Sequence, residues 1–176
     1  MVFCKCSQIV YIHYQEVETM NELTSFSGIL KLNKAVAAAD AITIASLNTF
    51  TASRGLMLSD TAAREVAETR LRALRENSRI ELGTGLIEKL ILVFSMSRYA
   101  VPADWEELVH TLVESFYFVK TEAHDSVSDN ELIKYMLDEF EGTCEGSIEL
   151  LTQRIENYVR ELNGGHTEET EDSDEE

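Results

Sequence analysis

The stretch Arg64–Phe94 limits the possible folds more than any other part of the chain. Across 60–77, Ala63, Val66, Ala67, Leu71 and Leu74 fall on one arc at 100° per residue, the pattern of an amphipathic helix. A polar elbow, Arg75 to Gly85, follows. Then, across 84–97, Leu86, Ile87, Leu90, Ile91, Leu92, Val93 and Phe94 cover most of a helix circumference and leave Glu88 and Ser95 on a narrow polar stripe. A helix apolar on nearly every side needs neighbours on nearly every side. The rest of the chain must supply them.

It can do so with helices. The 176 residues hold a single proline, which favours long helices over many short strands. Periodicity predicts one helix over 33–53, stopped by Gly55, and another from near Pro102 to His124. Ser59 is placed to cap the helix over 60–77. Ser128-Asp129-Asn130-Glu131 is a capping box that opens a helix to Phe140, and a last helix spans 147–162. The expected fold is all-α: a single domain of about six helices around a central apolar helix, the one over 84–97. Leu56–Leu58 and Ser78–Leu82 are short enough to form a minor two-stranded pairing. Residues 1–19 read as an irregular extension with Met20 as the expected initiator, 20–165 as the helical domain, and 166–176 as a disordered acidic tail.

Charge narrows the function. The net charge is −17, and the last ten residues contribute seven acids and no base. Nucleic-acid affinity rests on neutralising phosphates, so an acidic body argues against a nucleic-acid partner. Cys4, Cys6 and Cys144 are too few and too unevenly spaced for a disulfide framework and fit a reducing compartment. The apolar run Leu86–Phe94 is interrupted by Glu88 and Lys89 and is far short of the ~20 residues of a membrane span. The expected setting is the cytoplasm, with no membrane partner.

The chemistry-bearing motifs are incomplete. Glu107-x-x-His110 lacks the second copy that a di-iron bundle needs. Asp138–Gly142 places Phe140 where a calcium loop needs an oxygen ligand. Gly83-Thr84-Gly85 is only a G-x-G, without the lysine of a phosphate loop. No cofactor, metal or catalytic residue is indicated. One local anomaly stands out: Arg70 lies in the middle of the apolar arc of its helix, with Asn77 two turns on at nearly the same angle. A buried arginine needs a carboxylate or several carbonyls, and Glu81 and Glu88 are its nearest counter-charges in sequence. The candidate polar site is therefore Arg70, Asn77, Arg79, Glu81, Gly83 and Gly85. It admits two uses, a register-fixing ion pair or an anchor for a small anion.

From Leu47-Asn48-x-Phe50 through Gly55-Leu56, Leu58-Ser59, Glu68-x-Arg70 and Arg79-Ile80-Glu81-Leu82-Gly83-x-Gly85 to Gly142-x-Cys144-x-Gly146-Ser147, the chain resembles a family of small Firmicute proteins of unknown function. The resemblance covers roughly 35–160. It implies a bacterial, intracellular, mostly helical protein and no known activity. Ser59-Asp60-Thr61-Ala62 departs from the family's Ser-x-x-Gln or Ser-x-x-Glu cap. The reading favoured by the residues is a non-enzymatic interaction or scaffold module, bound to a protein partner or to itself. The alternative is a small-molecule or anion-binding protein, with enzymatic activity open, that uses the elbow.

Overall fold

The computed structural model describes residues 26–81 and 83–164, with side chains described from Lys34 onward. The expectations for residues 1–19 and 166–176 lie outside the described residues. Six helices account for most of the described chain: α1 (Phe26–Ser46), α2 (Asp60–Glu76), α3 (Gly85–Ser95), α4 (Trp105–Glu122), α5 (Asp129–Glu141) and α6 (Ile148–Gly164). A short helical turn, Asn48–Thr51, and a 3₁₀ turn, Ala52–Arg54, follow α1. The described chain divides into two units inside α1, between Ala39 and Asp40. The second unit is a single all-α domain.

In α2, α3 and α5 the core forms where the periodicity places it, whereas in the helix predicted over 33–53 the recurring Val36, Ile42 and Phe50 are exposed and Ala37, Ala41, Ile44 and Leu47 are buried. α2 buries Ala63, Val66, Ala67 and Leu74, α3 buries Ile87, Leu90, Ile91 and Phe94, and α5 buries Leu132, Ile133, Met136 and Phe140. The central apolar helix is α4, which packs against α2, α3 and α6 and carries Trp105, Leu112, Val113, Phe116 and Val119 almost wholly out of water. α3 sits beside it, with Leu92 40% exposed. The helix over 84–97, expected at the centre, is therefore not the central one: α3 packs against α4, α5 and the turn Asn48–Thr51 and leaves Leu92 at the surface.

Helix ends follow capping chemistry. Gly55 closes the 3₁₀ turn at φ +72°, a conformation that costs glycine little. Ser128 and Glu131 complete the capping box of α5 from both sides. At α2, Ser59 Oγ accepts from the Ala62 amide at 3.1 Å. The second half of that box, absent from position 62, comes from another helix. Glu106 Oε1 of α4 accepts from the Ser59 amide at 2.7 Å.

No strand occurs among the described residues, so the two-stranded pairing is not formed. Its backbone partners are already taken. The carboxamide of Asn48 donates to Leu58 O and accepts from Leu58 N, each at 2.8 Å, and thus stands in for a neighbouring strand. Arg79 N is spent on Leu74 O at 2.8 Å. The helix predicted over 33–53 is interrupted at Leu47 but continues as the helical turns Asn48–Thr51 and Ala52–Arg54 to Gly55. The chain returns after Gly55, and Thr51 and Asn48 hold the returning Leu56 and Leu58.

Among the described residues, one stretch, Lys34–Arg54, is long and apolar enough to cross a membrane by length and composition. It exceeds Leu86–Phe94 in this respect. Only 22% of its most apolar window is buried. Its single acid, Asp40, is nevertheless engaged by α2, and Ala41, Ile44 and Leu47 belong to the core.

Candidate functional site at the elbow

α2 delivers Arg70 into the core because its neighbours on the helix face, Val66, Ala67 and Leu74, are buried. Arg70 is 2% exposed. Its Nη1 donates to Asp40 Oδ2 at 2.9 Å, and its Nη2 donates to the carbonyls of Glu81, at 3.3 Å, and Gly83. Nε lies 3.6 Å from Glu81 Oε2 and makes no hydrogen bond. Tyr117 of α4 donates its hydroxyl to the same Glu81 oxygen at 2.7 Å. Burial first, then the hydrogen bond and charge of Glu81, push the Tyr117 phenol well above its usual range. It stays protonated and serves as a fixed donor.

The cluster is buried and paired within the protein. Three Arg70 contacts go to the protein's own oxygens, and the Nε–H that has no hydrogen-bond partner is out of water and faces Glu81 Oε2 at 3.6 Å. Two carboxylates face one guanidinium, so an added anion meets like charge. The arrangement is an ion-paired clamp that joins α1, α2, the elbow and α4.

Of the six sequence-predicted residues, the structure gathers Arg70, Glu81 and Gly83. The others go elsewhere. Asn77 caps α2 and donates to Ala73 O at 2.8 Å. Arg79 pairs with Asp125. Gly85 opens α3 with open space around it. Glu88, a predicted partner of Arg70, instead accepts from Thr84 Oγ1 at 2.5 Å, one turn away in its own helix. Sequence reasoning missed Asp40 and Tyr117. Asp40 had a signal, since it is the only charged residue between Lys34 and Arg54. Tyr117 had little, being one aromatic among Phe116, Tyr117 and Phe118.

A second charged cluster lies next along the chain from the elbow. Lys120, 8% exposed, donates to Val127 O at 2.8 Å and pairs with Asp125 at 3.0 Å and Asp129 at 2.9 Å. Cys144 is buried, and burial, more than its glutamate neighbours, raises its thiol pKa. A protonated buried thiol is a poor nucleophile. His110 bonds Thr69 Oγ1 at 3.2 Å and lies 3.6 Å from Glu114. Among the described residues, no three His, Cys, Asp or Glu side chains converge as a metal set.

No curated protein matches the chain, and no solved structure does. Residues 43–168, more than half of the chain, match the family model described as a family of unknown function (DUF6323), and the chain belongs to that family.

Proposed function

We propose that this protein is a non-enzymatic interaction or scaffold module of a bacterial cytoplasm. The carrying observation is a group of exposed apolar side chains on two joined segments. Phe50 is 69% exposed and Met96 76%, with Met57 and Val101 also exposed. These residues lie on two segments that the fold ties together. Arg54 donates to the carbonyls of Ser95 and Ser97, the latter at 2.8 Å. Gly55 lies so near Pro102 that an added Cβ would stand 3.2 Å from Pro102 Cγ. Scattered apolar residues are ordinary on a surface, whereas a group of them on joined segments marks an interaction site. The chemistry of the elbow supports the same reading from the other side. With Arg70 and Arg79 each paired to carboxylates, an added anion would have to compete with Asp40, Glu81 and Asp125, which favours the interaction reading.

The test is a Phe50→Ser/Met96→Ser double variant of the full chain. Both residues are exposed, so the melting temperature should hold. Native mass spectrometry of the protein isolated from its own host should show a defined assembly for the parent, either a self-assembly or a complex of fixed stoichiometry. The variant should lose it. A parent that is monomeric and free of any stoichiometric partner would overturn the proposal, as would an assembly indifferent to both substitutions.

A further inference from the structure

We infer that the outward face of α4 is a docking trough for a basic, amphipathic peptide segment of a partner protein. The inference rests on the interaction-module reading but uses a different face from Phe50 and Met96. Phe118 stands on the solvent side of α4 and is 42% exposed. A depression opens on each side of it. One, about 310 Å³, lies toward α2, and the other, about 300 Å³, lies toward α6. Both are lined by Phe118 and Glu114, so a single occupant can lie across the helix and reach into both. Ile155 of α6 and the Tyr117 ring add apolar lining.

The charge around this apolar centre has one sign. Glu76, Glu114, Glu122 and Glu156 line the two depressions. The only cation lining either is Arg72, which is already 3.4 Å from Glu114. A partner must therefore bring an apolar side chain to sit beside Phe118 and cations on either side of it. An amphipathic helix with lysines or arginines flanking a leucine or aromatic anchor has that pattern. An acidic segment would meet four carboxylates, and a nucleic acid would meet the same repulsion.

The probe is a synthetic amphipathic leucine–lysine helix, with its leucine–glutamate counterpart as control, titrated into the full chain and followed by fluorescence anisotropy. The lysine peptide should bind and the glutamate peptide should not. The triple variant Glu76→Gln/Glu122→Gln/Glu156→Gln should weaken binding at least about tenfold, and Phe118→Ala should weaken it also. A second triple variant, Asp138→Asn/Glu141→Gln/Glu145→Gln, removes the same charge from residues that line neither depression. It should change affinity less than about threefold. Equal losses from the two triple variants would overturn the inference, because the peptide would then be reading net charge alone. So would no binding by the lysine peptide, or binding indifferent to Phe118. Failure here leaves the Phe50/Met96 experiment to judge the broader reading separately.

Discussion

Arg70→Met tests the physical account of the elbow most directly. The substitution keeps an unbranched, apolar side chain on the buried face of α2 but removes the guanidinium. Asp40, whose side chain is 13% exposed, then loses its cation, and the Glu81 and Gly83 carbonyls lose their donor. Breaking one side of a buried ion pair typically costs ~3–5 kcal/mol. The lower end applies here, since the Glu81 side chain is 32% exposed and can recover water. A loss of about 3 kcal/mol lowers the melting temperature by roughly 6–12 °C in a domain of this size. Urea unfolding followed by circular dichroism measures it, and an unchanged slope would show that stability alone has moved. Arg70→Lys should fall in between, because an ammonium can serve Asp40 but does not reproduce the planar fork that also meets two carbonyls. The double variant Arg70→Met/Asp40→Leu removes both charges and should recover most of the loss, to within about 1.5 kcal/mol of the parent. Unchanged or raised stability in the single Arg70→Met variant would refute the clamp.

Three further outcomes follow from the geometry. Gly146 has φ +86°, and an added Cβ would lie 2.6 Å from Tyr99 Cβ, whereas Gly83 at φ +79° has nothing within 4 Å. Gly146→Ala should therefore cost well above the ~1–2 kcal/mol of a left-handed alanine, and Gly83→Ala about that amount, as compared by thermal unfolding. Glu139 receives two hydrogen bonds from Arg154, at 2.8 and 3.1 Å, which hold its carboxyl below the usual glutamate range. The folded state then binds fewer protons than the unfolded state, so this stabilisation is complete above the ordinary glutamate pKa and is lost as pH falls through the depressed one. In chemical unfolding across that window, Glu139→Gln should show a smaller acid loss than the parent. Cys144, buried with a raised thiol pKa, should resist alkylation at neutral pH and label quickly in denaturant, as read by peptide mass mapping.

The parts of this fold that were legible in the sequence are those set by neighbours within a few residues. The arcs of α2 and α5, the capping box at Ser128 and the stop at Gly55 are all local, and each is found where its spacing places it. The interruption of the first helix at Leu47 was hidden, because the helical turns resume at Asn48 and run to Gly55. The side chains of Thr51 and Asn48 then bind the returning backbone at Leu56 and Leu58, contacts that no local pattern reports. The partner of Arg70 was hidden for a related reason. Nearness in sequence suggested Glu88, but a carboxylate in the first turn of its own helix finds the Thr84 hydroxyl first. Asp40 lies thirty residues before Arg70. The trans cap from Glu106 to Ser59 likewise spans a gap that no local pattern reports.

The ionic contacts tie the elbow to the helices around it. Two buried cations each secure an irregular segment. Arg70 holds the carbonyls of 81 and 83, and Lys120 holds the carbonyl of Val127 together with Asp125 and Asp129. His124 and Asp125 are consecutive non-glycine residues at positive φ, a conformation that costs ~1–2 kcal/mol per residue without compensation. Arg79 and Lys120 both bind Asp125, so the compensation comes from ion pairs, and Arg79 extends the link back to the elbow. Outside this network, Phe50 and Met96 stand exposed on one pair of joined segments, and Phe118 stands among glutamates on α4. Buried charge fixes the fold, and on the proposed reading the exposed apolar chains are the ones a partner would cover.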